Sequence, residues 1–440
     1  MLYQRLQPVW KRLRDSRPTL ALSGGLDSMV LLHLLLRCRA DTGMPFSAAH
    51  VHHGLSANAD AWARFCQDFC TAHDVPFYLL KVQVENRGEG WEAAARKARY
   101  QALAGVSSET LLLAHHADDQ RETFLLAALR GGGTRALAAM PAAAEMSAIR
   151  LLRPLLNVSR AELADYARAH AITHIEDESN SNPRFLRNWL RHQLLPFALQ
   201  RLPQLPQQLD TAVAAAQQDL ALLDEFTRSD REYVCADGVF QCLRWCELSE
   251  LRRRNLLHDF AKQHNLGNPS RAAVYAFERT LAAAPTQHAE WSLPHGTAVA
   301  HQGRLLPAPH SLMHPLWLKQ PLIGTAAQLA QNCGMEWRTG RGFSADILQH
   351  TLQLRPPVPS DRMMWRGTRK TVKRILQEHG VPPRLRPIFP IWCNLHGECL
   401  AISGIGVSDA VAVDSGLIPY LPDWENYFIR PNKQPSPAVT

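Results

Sequence analysis

Hydrophobic positions along the first half of the chain follow two alternating periods. Short apolar runs at 19–22, 46–51, 77–84 and 110–114 read as strands, while 28–39, 57–73, 91–104 and 118–130 carry apolar residues at helical spacing. Strands that alternate with helices imply right-handed crossovers, so the expected class is α/β, a doubly wound parallel sheet covered on both faces. A further helix over 159–170 opens with Ser159 and has Glu162 three residues later, the reciprocal capping pattern. Pro196, Pro203 and Pro206 close this part near residue 200. The stretch 207–227, rich in Ala and Leu and without Gly or Pro, predicts a long linking helix.

Beyond it the pattern is less regular. Helices are expected around 248–262 and 270–284, then a hairpin over 290–306 that turns at Pro294-His295-Gly296. A last region shows strand-like runs at 351–355, 388–393 and 399–402 around one basic helix at 367–379. The expected domains are therefore 1–206 (the doubly wound sheet), 207–315 (linker helix and a small helical or mixed domain) and 322–429 (a C-terminal α+β domain). Residues 430–440, with three prolines and few apolar positions, read as a disordered tail.

Composition narrows the class. At 440 residues, 46% hydrophobic and 20% charged, the chain is neither collagen-like nor wholly disordered. The apolar run 29–36 is broken by His33 and is far short of the roughly 20 residues a membrane span needs. Residues 1–18 contain no apolar secretory core, so a cytoplasmic location without membrane contact is expected. Nine scattered cysteines never form Cys-x-x-Cys, which argues against a disulfide framework or a zinc or iron–sulfur site. Cys66/Cys70 and Cys242/Cys246, spaced i,i+4, read as small core thiols. A net charge of +8 favours an anionic partner such as nucleic acid. No obligate protein partner is indicated.

The candidate chemistry begins where the first strand ends. Ser23-Gly24-Gly25-Leu26-Asp27-Ser28 joins that strand to an apolar helix, a geometry that aims unpaired amides and a helix dipole at an anion. Two glycines let phosphate oxygens approach the backbone, the two serines add hydroxyls, and Asp27 can hold Mg2+ against the phosphates. The same residues also fit a plain polar turn with Asp27 or Ser28 as a cap. His115, His116, Asp118 and Asp119 follow the fourth strand, where open parallel sheets bind ligands. Metal coordination and a capped helix start are both open for them on residue type alone. Asp119 and Glu122, i,i+3, lie on one helix face.

The hexapeptide resembles the PP-loop signature of ATP pyrophosphatases that adenylate a substrate oxygen. Further segments resemble the tRNA(Ile)-lysidine synthetases: His50-Val51-His52-His53-Gly54-Leu55-Ser56, Glu92-Ala93-Ala94-Ala95-Arg96-Lys97-Ala98-Arg99-Tyr100, and His115-His116-Ala117-Asp118-Asp119-Gln120-Arg121-Glu122-Thr123 through Arg130-Gly131. So do Glu176-Asp177-Glu178-Ser179-Asn180, Arg187-Asn188-Trp189-Leu190-Arg191 and, more weakly, 355–390.

That resemblance implies a ligase that uses ATP and Mg2+ to adenylate the wobble cytidine of the isoleucine tRNA with a CAU anticodon, then joins L-lysine to C2 of the base. It implies Ser23, Gly24, Gly25, Leu26, Asp27, Ser28 and His52 at ATP, with Asp27 holding the metal. Asp118, Asp119 and Glu122 are implied at lysine, with Asp27, Asp119 and Glu122 catalytic. Arg96, Arg99, Arg187, Asn188, Arg191, Arg369, Lys370 and Lys373 are implied at tRNA, although each basic group also fits a solvated, ion-paired face. Pro359-Ser360-Asp361-Arg362 departs from the family's Pro-Gly-Asp-Arg. A tRNA thiolase of the same superfamily and a non-catalytic RNA-binding protein are the rival readings.

Overall fold

The computed structural model describes residues 2–427 apart from 55, 57, 84–90, 107–108, 147–148, 177–185 and 236–237. The tail expected from 430 and residues 177–180 of the acidic motif lie outside the described residues. The chain divides into two compact units, Met1–Leu223 and Asp224–Thr440, with the boundary inside the helix Leu205–Val234. That helix includes the 207–227 stretch whose spacing predicts it. Among the described residues no helix is long and apolar enough to cross a membrane.

In the first unit, α1 (Leu2–Arg5) and α2 (Gln7–Leu13) precede strict alternation of strand and helix. The succession is β1 (Thr19–Ala21), α3 (Leu26–Thr42), β2 (Ser47–His52), α4 (Ala59–Ala72), β3 (Phe77–Lys81), α5 (Trp91–Val106), β4 (Thr110–Leu112) and α6 (Ala117–Leu129). Then come α7 (Thr134–Leu137), β5 (Ala143–Met146), β6 (Ile149–Leu152) and α8 (Arg160–Ala169). Last are α9 (Leu186–Trp189), a π-helical turn at Leu190–Leu194, α10 (Leu195–Arg201) and α11 (Leu205–Val234).

The sheet order is β3-β2-β1-β4-β6-β5, parallel throughout except for β5 against β6. Side chains alternate across it. Leu20, Leu22 and Leu112 pack with Met29, Val30, Leu31 and Leu34 of α3 on one face. Ala49, Leu111 and Leu113 pack with Leu103 and Tyr100 of α5 on the other. The β5–β6 pair is a finding the sequence does not suggest, because Ala143-Ala144-Glu145-Met146 has helical propensity and β5 becomes a strand only by pairing with β6.

The second unit carries a four-stranded antiparallel sheet of Phe240–Gln241, Arg304–Pro309, Gly296–His301 and Ala289–Leu293 in that spatial order. The expected hairpin at 290–306 turns where expected, but its second run is broken at Gln302-Gly303, so the stretch reaches three strands of a meander. A five-stranded sheet contains Thr351–Arg355, Ile391–Cys393 and Cys399–Ile402, as the apolar runs suggest.

The basic helix expected at 367–379 is corrected. Thr368–Thr371 is a strand paired with Arg362–Trp365, and the helix is only Val372–Glu378, capped by Thr371. Arg366 and Gly367 both have positive φ (51° and 74°), which is the backbone of a tight hairpin turn. Arg369 and Lys370 therefore lie on a strand, and only Lys373 and Arg374 are helical. Asp361 holds its own turn, accepting from Val358 N at 2.6 Å and from both terminal nitrogens of Arg355 at 2.7 and 2.8 Å. Ser360 is not among the residues with positive φ, so the turn forms without the family's glycine.

Ile175 closes the fold over the loop after β1, donating its amide to Gly24 O at 2.9 Å. Gly24 has φ +85°, and a Cβ there would lie 2.4 Å from Ile175 Cδ1. Gly43 has φ +75° with nothing within 4 Å. Gly43→Ala should then cost about 1 kcal/mol in backbone strain alone, and Gly24→Ala should cost clearly more because Ile175 must also move. Urea unfolding of the two variants checks this; equal losses would mean that Ile175 does not pack on the loop.

Candidate active site

Strand order reverses between β1 and β4, which opens a crevice at their C-terminal ends, the place where doubly wound sheets bind ligands. The Ser23–Ser28 loop enters it from β1. Gly25 is the extended N-cap of α3 and offers no side-chain bond, so the first amides of α3 depend on another acceptor. Ser28 Oγ accepts from Gly24 N (3.1 Å), donates to Gly25 O (2.9 Å) and lies 3.0 Å from Ser23 Oγ, while Gly25 N donates to Ser23 Oγ at 3.3 Å. Both hydroxyls thus shape the loop. Asp27, in the first turn of α3, turns Oδ2 toward His116 Nε2 at 3.5 Å. Its Oδ1 is buried without a hydrogen-bond partner.

From β4 the chain leads into α6. His116 caps the helix, its Nδ1 accepting from Asp119 N (3.4 Å) while Asp119 Oδ2 accepts from His116 N (3.1 Å). With Nδ1 accepting, Nε2 carries the proton and faces Asp27 Oδ2 at 3.5 Å and Asp119 Oδ2 at 3.6 Å. Burial lowers the pKa of His116, but the hydrogen bond to Asp27 and the charges of Asp119, Asp27 and Asp118 outweigh it and raise the net value. Asp118 is held by Arg121 (2.9 Å) and by the first amide of α8, Arg160 N (2.8 Å). Arg121 continues to Asp210 on α11 at 2.7 and 2.8 Å.

Asp119 and Glu122 do share a helix face, and both are buried. Arg187 and Arg191 meet them there. Arg187 Nε donates to Glu122 Oε2 at 2.7 Å, and its terminal nitrogen donates to Asp119 Oδ1 at 3.0 Å. Arg191 donates to both oxygens of Glu122 (2.5 and 2.9 Å) and to Asp119 Oδ1 at 3.2 Å. The π-helical turn makes this convergence local: Leu195 N donates five residues back to Leu190 O, and Pro196 follows without an amide. Burial raises the pKa of Asp119, but His116, Arg187, His115 and the His116 amide together bring it below the ordinary carboxylate range.

Other sequence candidates fall in separate places. His52 Nε2 lies 3.1 Å from Asp60 Oδ1 on α4. His50 Nδ1 bonds Leu22 O at 2.8 Å, bracing β2 against the root of the loop. Arg96 and Arg99 flank the Tyr100 ring on α5. Asn188 lies on α9 between the two arginines. Arg369 and Lys373 are exposed on the second unit, where Lys370 pairs with Glu378 at 2.9 Å. Arg153 and Ile175 were not singled out from the sequence. Arg153 follows β6, where Arg150 interrupts the apolar residues, and nothing in the sequence marks Ile175.

A parallel sheet with an uncapped Ser-Gly-Gly-x-Asp-Ser loop at the strand-order reversal defines a PP-loop ATP-binding domain, and residues 2–198 match the PP-loop domain family. Residues 241–306 match the TilS substrate binding domain and 352–419 the TilS substrate C-terminal domain. The chain is 39% identical over 420 residues to the tRNA(Ile)-lysidine synthase of Neisseria gonorrhoeae, covering 94% of each chain. It is 40% identical over 415 residues to that of Chromobacterium violaceum (90% and 93% covered) and 37% identical over 420 residues to that of Escherichia coli O157:H7 (91% and 95%). The chain belongs to the tRNA(Ile)-lysidine synthase family.

His115, beside the acid pair, supplies a pH test. Burial pushes its pKa down to about 4; Asp119 opposes this, and Arg153, Arg99 and Arg96 reinforce it. An unfolded histidine titrates near 6.5, so between pH 6.5 and about 4 the unfolded chain binds more protons and stability falls as pH falls. His115→Gln should therefore gain stability relative to wild type on acidification through that window, read by urea unfolding at several pH values. A constant difference between the two proteins would show that His115 titrates normally in the fold.

Proposed function

We propose that this chain makes lysidine on the isoleucine tRNA with a CAU anticodon, using ATP, Mg2+ and L-lysine, and that it acts in the cytoplasm. The supporting observation is the continuity between phosphate loop and acid pair: Asp27, His116 and Asp119 are linked at 3.5 and 3.6 Å across the crevice between β1 and β4. ATP phosphates lie on the first amides of α3, with Ser23 to Ser28 around them. Mg2+ would neutralise phosphate charge, and Asp27 Oδ1, buried with no hydrogen-bond partner among the described residues, would hold it.

In the first half-reaction the C2 oxygen of the wobble cytidine attacks the α-phosphorus and pyrophosphate leaves. In the second, the lysine ε-ammonium gives a proton to a carboxylate of the acid pair, the resulting amine attacks C2, the adduct gives its second proton to solvent, and AMP departs with the former carbonyl oxygen. Adenylation is needed because the free base offers a poor leaving oxygen. Asp119 and Glu122 hold the lysine ammonium groups, Asp118 stands beside them, and the guanidinium of Arg187 or Arg191 receives the amino acid's carboxylate. Two carboxylates and two guanidiniums in one patch match the mixed charges of zwitterionic lysine. Arg96, Arg99, Asn188, Arg369, Lys370 and Lys373 contribute to tRNA binding, and His52 borders the nucleotide.

A sulfur-transfer reading fares worse. Cys66 lies against the loop, with its Sγ 3.0 Å from a Cβ built on Gly24. Burial pushes its pKa up to about 12, which leaves no thiolate to carry sulfur.

The two half-reactions should separate by mutation. Asp27→Ala should abolish ATP-dependent pyrophosphate release at unchanged tRNA affinity. Asp119→Asn should keep adenylation, accumulate AMP-tRNA from labelled ATP at ordinary lysine concentrations, and raise the lysine KM about 10-fold or more, in line with loss of a charge-assisted bond. If Asp119→Asn instead blocks adenylation while lysine dependence stays normal, Asp119 serves the nucleotide and the lysine assignment is wrong.

A further inference from the structure

Arg153 is a buried cation that the reaction above leaves unused. It directly follows β6, is only 7% exposed, and has a buried Nε with no hydrogen-bond partner among the described residues. One terminal nitrogen donates to Pro141 O at 2.7 Å, and the Tyr100 hydroxyl is an electrostatic neighbour of the guanidinium. Two further guanidiniums close on the same ring, Arg96 Cζ at 5.4 Å and Arg99 Cζ at 5.6 Å from the Tyr100 centroid. Among the described residues no carboxylate is ion-paired with any of the three. Arg153 is buried, Arg99 half-buried and Arg96 exposed. Cations gathered with no counter-charge among the described residues repel each other and cost solvation where they are buried, so an anion would stabilise the cluster. Burial pushes the pKa of both Arg99 and Arg153 down, and for each the charge of Arg96 pushes further.

Neighbouring groups fit an oxyanion as well. His53 and His115 follow β2 and β4 at the same sheet edge, and each has a buried Nδ1 without a hydrogen-bond partner among the described residues. Burial lowers the pKa of both, which keeps them neutral near pH 7 with one ring N–H each to offer. Topology separates this cluster from the ATP loop. Tyr100 packs with Leu111 and Leu113 on one face of the sheet, whereas α3 packs with Leu20 and Leu112 on the other. An anion held at Tyr100 is therefore not the one held on the amides of α3.

We propose that Arg153, Arg99 and Arg96, gathered around Tyr100, form a second anion site that takes a phosphate oxyanion, and that a phosphodiester next to the target nucleotide of the RNA occupies it. A polynucleotide is the occupant favoured by the geometry, because it can cross the sheet edge and place its base at the β1–β4 crevice while an adjoining phosphate sits over α5. This deepens the lysidine reading and rests on it only for the identity of the RNA. The remaining source of the same chemistry is ATP itself.

Full-length Arg153→Met and Arg153→Lys, with Arg99→Met as a half-exposed second probe of the same cluster, test the site without turnover. The isoleucine tRNA is titrated by filter binding across a salt series in the absence of ATP, and ATP is titrated in the absence of tRNA. Arg153→Met should weaken tRNA about 10-fold or more and reduce the slope of log K against log salt by about 0.7, the value for one single-strand phosphate contact. ATP affinity should stay within about twofold, and Arg153→Lys should restore much of the tRNA binding. Loss of ATP affinity with tRNA binding intact would keep the anion site and overturn the RNA as its source. Unchanged affinity for both ligands in Arg153→Met, or in Arg99→Met should the first variant fail to fold, would overturn the site. Both affinities are read without catalysis, so failure of wild type to form lysidine would count against the function and not against the site.

Discussion

Four side chains hold the catalytic unit in its working shape: Asp119 and Glu122 on α6, and Arg187 and Arg191 on α9 and the π-helical turn after it. The two carboxylates are buried at the root of α6, and the arginines that neutralise them come from 65 to 72 residues further along the chain. Removing one member of such a set leaves an unpaired charge behind, typically at a cost of about 3–5 kcal/mol. The cluster therefore fastens the segment that follows α8 onto the C-terminal edge of the sheet. A second tie, Arg121 between Asp118 and Asp210, secures α11 to the same helix.

This arrangement places opposite charges where the proposed chemistry needs them. On the α3 face, a glycine loop without a side-chain cap faces an anion, and Asp27 carries one free oxygen. At the head of α6, His116 couples that loop to the acid pair through a single protonated nitrogen. Over α5, guanidiniums with no carboxylate partner among the described residues gather at the same edge. Three charge environments thus lie within one crevice rim, each set by which strand end supplies the residue.

Much of this was legible in the sequence, for reasons that differ by residue. The loop after β1 announces itself because the apolar period changes at Ser23 from strand to helix, and the two glycines fall at the change. The i,i+3 placement of Asp119 and Glu122 needs only helix geometry. Arg187 and Arg191 were expected at tRNA by resemblance, with a solvated basic face as the alternative, and their pairing with Asp119 and Glu122 was not foreseen because nothing local to them indicates a carboxylate many residues upstream. The hairpin at 362–371 was hidden for a different reason: Arg366, Arg369, Lys370 and Lys373 have helical spacing, and only the positive φ of Arg366 and Gly367 breaks it. β5 was hidden because sheet pairing overrides the preference of its alanines.

The account turns on one chemical claim, that ATP bound at the glycine loop activates a tRNA base for attack by an amine held at the acid pair. The direct measurement is mass analysis of the wobble nucleoside after the purified protein is incubated with ATP, Mg2+, L-lysine and an unmodified isoleucine tRNA bearing a CAU anticodon. Cytidine condensed with lysine, formed only when both ATP and lysine are present, is the predicted result. Pyrophosphate release that leaves the nucleoside as cytidine, or that introduces sulfur in place of lysine, would contradict it.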